Sequence, residues 1–95
     1  MNFGEAIIEA REGKKIRRAG WHNTDKFVVF MPETHIEHDL VNQRTQAHIP
    51  MGRGLHVGGY FVFVGLREVG DMYVDWQPGW LASQPDMLAI DWEAV

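Results

Sequence analysis

Four histidines, His35, His38, His48 and His56, with Glu37 and Asp39 among them, are the first residues in this chain whose types suggest chemistry. On a strand His35 and His38 point to opposite faces. On a helix they share a face but lack a framework such as His-Glu-x-x-His. This spacing is indiscriminate, so the reading is solvated loop histidines and no metal. Ser83, a histidine and Asp86 or Asp91 would make a nucleophilic triad on paper, yet Ser83 has no nucleophile-elbow glycines around it. Asp86 and Asp91 have the types for a paired acid and base, although cap and surface roles are the commoner fate of such carboxylates. Gly52-Arg53-Gly54 offers an arginine and bare amides to a phosphate, but it matches neither the P-loop nor the dinucleotide fingerprint and reads as a flexible loop.

The tryptophans are the better lead. Trp21 follows a turn glycine and Trp80 follows Pro78-Gly79, so both sit at element ends, where a ring can face a cleft or simply pack at the rim. A nucleobase stacked on such a ring gains about 1 to 3 kcal/mol, and a nearby arginine adds a charge-assisted bond to phosphate. Trp76 and Trp92 lie inside strand patterns and are predicted to be core.

The elements that must position these residues follow from capping and periodicity. Asn2 and Glu5 have the spacing of a capping box, Phe3, Ala6, Ile7 and Ala10 repeat at helical spacing, and Gly13 suits a left-handed stop. This predicts an amphipathic helix of about ten residues. Near the other end, Ser83 as cap, Pro85 in the first turn and Asp86 at the positive end of the dipole predict a short helix that stops near Ile90. Asp91 to Val95 then alternates polar and apolar as a half-buried strand.

Between these, strands are predicted over Lys15 to Ala19, Phe27 to Met31, Tyr60 to Val64 and Met72 to Gln77. Trp21 to Asp25 reads as a turn and Gly70-Asp71 as a tight-turn pair. Thr34 to Val41 fits a strand or a helical turn equally, Ile49-Pro50-Met51 reads as extended, and the glycines from Gly52 to Gly59 punctuate a loop. The result is an α+β domain spanning residues 1–95: an N-terminal helix on a small antiparallel β-sheet, a short C-terminal helix and a final strand. The runs Phe27 to Met31 and Tyr60 to Val64 have no polar alternate, so both faces of those strands leave water. One helix covers one face. The other is expected to meet a second subunit, or to lie under a folded-back segment 33–59.

At 95 residues, such a domain buries only roughly 60 to 65% of the surface its unfolded chain exposes. The absence of cysteine excludes disulfides and thiolate metal sites and suits a reducing compartment. No apolar run approaches the roughly 20 residues of a membrane span, and no signal core opens the chain, so a soluble cytoplasmic protein is expected. A net charge of −4 argues against general nucleic-acid binding, DNA included. Its distribution says more: six of the nine cations lie within the first 26 residues, whereas no Lys or Arg follows Arg67 and six acids do. The two ends are therefore able to attract, within or between subunits.

Three stretches together carry a resemblance: Met1-Asn2-Phe3-Gly4-Glu5-Ala6, Arg18-Ala19-Gly20-Trp21, and Trp80-Leu81-Ala82-Ser83-Gln84-Pro85-Asp86-Met87-Leu88-Ala89-Ile90-Asp91-Trp92. They resemble the bacteriophage anti-Thoeris sponge family at both ends of the chain and less in the middle. The resemblance implies a non-enzymatic inhibitor of bacterial immunity, acting in the cytoplasm of the infected host without a cofactor. Members of that family bind the cyclic ADP-ribose isomer made by an activated Thoeris TIR protein and hold it intact. Some relatives also capture cyclic oligonucleotide signals such as those of CBASS. They look like small helix-plus-sheet proteins that assemble as tetramers with pockets between subunits. Carried over by position, Trp21 would meet the base, Ser83 and Gln84 ribose or phosphate, and Asp86 a ribose hydroxyl or adenine amine. Met87 would complete the pocket and Arg18 would face the pyrophosphate. Two alternatives stay open: a phosphodiesterase or hydrolase using the histidine group, and an acidic protein that inhibits a host protein directly.

Overall fold

The structure, a computed structural model, describes residues 1–21, 25–67 and 70–95. The predicted turn Trp21 to Asp25 falls largely on His22, Asn23 and Thr24, which lie outside the described residues, as do Glu68 and Val69.

Both predicted helices form where their caps put them. In α1 (Phe3–Arg11) the Asn2 side chain accepts from the Glu5 N–H while the Glu5 carboxylate accepts from the Asn2 N–H, the reciprocal capping box. Gly13 follows the helix with φ +98°, a conformation that costs glycine little. Small Ala6 and Ala10 are buried and let the helix lie close to the sheet, with Phe3 beside them.

Five strands make an antiparallel sheet in the order β6-β5-β2-β1-β7, with β1 (Ile16–Arg18), β2 (Lys26–Met31), β5 (Tyr60–Gly65), β6 (Asp75–Pro78) and β7 (Trp92–Ala94). The register pairs Val28 with Phe63 and Phe30 with Phe61, and these residues face the core under α1 with Ile16 and Trp92. Their neighbours Phe27, Val29 and Met31 pair with Val64, Val62 and Tyr60 on the opposite face. The short helix α3 (Gln84–Leu88) packs beside α1, so no described helix covers that second face.

The segment 33–59 does not fold back over it either. It forms its own two-stranded ribbon, β3 (Thr34–Ile36) with β4 (Leu55–Val57), joined through a 3-10 turn at His38–Leu40 and α2 (Gln43–Gln46). Thr34 to Val41 is thus strand first and helical turn second. Ile49 to Met51 belongs to a turn closed by the Arg53 N–H on the Pro50 carbonyl, and is not extended. This arm makes the molecule long, 47 × 31 × 22 Å, with a radius of gyration of 16.1 Å. A compact chain of this length would have roughly 12 Å.

Trp76 corrects another expectation. It lies on edge strand β6 across from Val64, on the face away from α1, and is 46% exposed rather than core. Alternation within a strand names the face but not whether anything covers it. The strand itself starts at Asp75 and runs through Pro78, which an edge strand tolerates because its N–H side is unpaired.

At the root of the arm, Gly59 is needed for space. A Cβ there would sit 2.7 Å from the Phe30 ring. Gly59→Ala is therefore expected to destabilise the protein by about 1 to 3 kcal/mol, the usual cost of overpacking, read as a lower midpoint in urea at unchanged slope.

Candidate functional site

Residues from three separated stretches meet at the open end of β1. Arg18 lies at the end of that strand, opposite Trp92 of β7. Its Nε donates to Asp91 Oδ1 at 2.9 Å and its Nη1 to Asp86 Oδ1 at 3.0 Å, so the guanidinium sits between two carboxylates. Asp91 Oδ2 accepts from the Gly20 N–H at 2.9 Å, and the Asp91 carbonyl accepts from the Ala19 N–H at 2.9 Å. The turn 18–21 is therefore fastened at three points to residue 91. Gly20 permits this approach: a Cβ there would lie 3.0 Å from Asp91 Oδ2.

The second stretch is the start of α3. Ser83 caps it by accepting from the Asp86 N–H at 3.2 Å, and Asp86 Oδ2 accepts in return from the Ser83 N–H at 3.4 Å, the upper limit for such a bond. The Asp86 carbonyl accepts from Trp92 Nε1 at 2.8 Å, which satisfies the indole of a residue only 2% exposed. Asp86 thus caps a helix, pairs with Arg18 and anchors the core tryptophan.

Beside this cluster stands an aromatic wall. Trp21 and Trp80 both pack edge-on against Trp92, with centroids at 5.4 and 6.3 Å, and Trp21 also meets Phe63 at 5.7 Å. Both rings are half-buried at the rim of the core.

Of the residues the sequence singled out, Arg18, Trp21, Ser83 and Asp86 are brought together. Gln84 and Met87 are not directed into the cluster. At about 100° per residue they share a helix face with Leu88, well round from Asp86. They are exposed there, Met87 at 46% and Leu88 at 80%. Asp91, read from the sequence as a candidate acid or base beside Asp86 and as part of the C-terminal motif, is the fastening point of Arg18 and Gly20, a pairing the sequence did not show. The charge asymmetry of the chain, basic at one end and acidic at the other, is met here within one subunit; Arg17 also pairs with Glu93 at 2.7 Å.

The histidines lie elsewhere. His35 and His56 face each other across β3 and β4 with rings stacked at 4.8 Å, and Glu33 accepts from His56 at 3.2 Å. His38 Nδ1 meets the Arg53 carbonyl at 2.9 Å. Among the described residues no group of three His, Asp or Glu is placed to hold a metal ion. A cavity of about 380 Å³ lined by Arg11, Phe30, Pro32, Glu33 and Gly59 lies at the arm root and shares no residue with the Arg18 cluster. No described helix is long and apolar enough to cross a membrane.

The Arg18 bond, then the Gly20 N–H, holds the Asp91 carboxyl below the usual carboxylate range, and Asp91 followed by Asp86 raises the Arg18 guanidinium further. A carboxyl lowered on folding stabilises the fold above its unfolded value, near 3.9, and loses that contribution as pH falls through the folded value. Arg18 stays protonated throughout that window, so only the carboxyl titrates. Thermal unfolding between pH 7 and 3 is expected to show a steeper acid loss in the wild type than in Asp91→Asn.

A helix and a five-stranded antiparallel sheet, with a salt-bridged cluster joining the two ends of the chain, define a small α+β protein of a particular kind. A family model for the Thoeris anti-defense 2-like domain matches residues 1–95, and the chain belongs to that family. Among its relatives is a protein of Bacillus phage SP01 described as Thoeris anti-defense 2. It is 25% identical over 99 residues, covering 100% of this chain and 94% of that relative.

Proposed function

We propose that this protein is a phage inhibitor of Thoeris immunity that works by sequestration: it binds a cyclic ADP-ribose isomer and holds it intact without catalysis in the cytoplasm of the host. Family membership over the whole chain supports the anti-defence role. The observation that carries the nucleotide reading is the Arg18–Asp86–Asp91 junction, which brings the Arg18-Ala19-Gly20-Trp21 and Ser83-to-Asp86 motifs together beside an indole ring.

In this reading the Trp21 ring stacks on the base, the Ser83 hydroxyl and Asp86 meet ribose, phosphate or adenine amine, and the Gln84 amide reaches the ligand from the outer face of α3. Met87 and Leu88 form an exposed apolar shelf at the margin. Sequestration needs affinity rather than turnover, and a nanomolar complex requires about −12 kcal/mol. The deficit of contacts in one subunit is met by assembly. Val29, Met31, Tyr60 and Trp76 lie partly exposed on the sheet face away from α1, and a second copy laid there completes a homo-oligomer, with the tetramer as the expected form.

Calorimetry against cyclic ADP-ribose isomers and cyclic dinucleotides tests this. Nanomolar binding of one of them, weakened about 10- to 100-fold by Trp21→Ala in line with the value of one stacked base, supports the reading. Absence of binding to every member of the panel refutes it.

A further inference from the structure

The charge count at the Arg18 cluster decides which part of a nucleotide it can hold. Arg18 brings one positive charge, and Asp86 and Asp91 one negative charge each, so the two ion pairs leave an excess negative charge. A phosphate brought to this point meets two carboxylates at close range, and like charges at such distances repel. Arg18 has already committed Nε and one Nη1 donor to the carboxylates, so the fork that uses Nε is no longer available for bidentate recognition of a phosphate. Donors fare differently. Each carboxylate oxygen that takes one in-chain hydrogen bond keeps a further lone pair.

The two carboxylates are not equally available. The Asp86 side chain is 16% exposed and also engages the Ser83 N–H, whereas the Asp91 side chain is 34% exposed. Asp91 is also fixed in place: one oxygen is held by Arg18 and the other by the Gly20 N–H, and Trp21 follows at once. An acceptor bonded to the N–H just before the stacking residue is close enough along the chain for a sugar to reach when its base is on that ring. Carboxylates on ribose hydroxyls are how dinucleotide-binding folds read that sugar.

We infer that Asp91 is a specificity-determining residue that accepts a hydrogen bond from a ribose hydroxyl of the bound nucleotide, and that Arg18 is a positioning residue which holds both carboxylates rather than a phosphate ligand. The inference rests on the nucleotide-binding reading above and departs from the assignment of Arg18 to pyrophosphate.

Calorimetry with the tightest-binding cyclic ADP-ribose isomer and a set of its analogues, each lacking one ribose hydroxyl, tests it. The wild type is expected to bind one analogue about 10-fold or more weakly, since a site built to bond a hydroxyl is left with an unpaired acceptor. Asp91→Asn should reduce that discrimination to about 2-fold or less, and the ligand-side deletion needs no assumption about the variant's fold. Arg18→Gln should weaken binding while leaving the dependence of affinity on salt as in the wild type, because no phosphate contact is lost. Equal binding of every analogue by the wild type overturns the proposal, as does a salt dependence flattened in Arg18→Gln. Failure of the wild type to bind the parent nucleotide is a different result: it refutes the nucleotide-binding reading itself and this inference with it.

Discussion

Trp92→Ala is expected to unfold most of the protein at 37 °C. The residue is 2% exposed, and its ring touches Phe3, Trp21 and Trp80, so its removal opens a void shared by α1, the sheet and the 79–91 segment. Loss of a buried Trp side chain costs about 3 to 5 kcal/mol. Total stability of a small domain is on the order of 5 to 15 kcal/mol, and a 95-residue chain with an extended arm sits at the low end. The substitution also removes the short bond from the Trp92 indole N–H to the Asp86 carbonyl, leaving that carbonyl only the 3.4 Å bond from the Ala89 N–H. Equilibrium unfolding in urea checks this, and a midpoint within experimental error of the wild type would show that the aromatic cluster does not organise the core. Trp92→Phe, which keeps most of the volume but not the N–H, should fall between the two.

If the protein assembles through its second sheet face as proposed, Trp76→Glu is expected to leave folded monomers. Within one chain Trp76 is already 46% exposed on an edge strand, so its loss removes little internal packing. Across an interface a central aromatic residue is commonly worth about 2 to 4 kcal/mol, and a carboxylate placed there adds the cost of burying a charge. Val62 and Val64 beside it are already buried within the chain, so what a partner would meet is Trp76 itself with the half-buried Phe27, Val29, Met31 and Tyr60. Sedimentation at micromolar concentration should give the monomer mass for the variant and a multiple of it for the wild type, with unchanged circular dichroism. A wild-type monomer would remove the sheet face from the account.

Local signals in the sequence were sufficient wherever a backbone group needs a partner a few residues away. The Asn2–Glu5 capping box, and the Ser83 cap followed by Pro85 and Asp86, marked helix starts that the structure reproduces. The apolar runs marked β2 and β5, the two longest strands. What the sequence left obscure depended on distant partners or on very short elements. Helix α2 has four residues capped by Asn42, too few for an apolar period to register. The ribbon of β3 and β4 has three residues a strand. Trp76 and Trp92 occupy similar alternating patterns, and only the packing of α1 on one face separates the exposed from the buried ring. The Arg18–Asp91 pair spans 73 positions, so no local window holds both members. Legible together were the motif residues Arg18, Trp21, Ser83 and Asp86; Asp91 was visible as a motif carboxylate, but that it fastens the others appears only in three dimensions.

One determination reaches the central claim directly. The wild-type protein is incubated with the tightest-binding cyclic ADP-ribose isomer, separated from free nucleotide, denatured, and the released small molecule is identified by mass spectrometry. Sequestration predicts recovery of the unaltered cyclic nucleotide in a fixed ratio to protein, the same after a minute and after hours. Ring-opened or otherwise cleaved nucleotide accumulating with time, or protein that carries none through the separation, would contradict it.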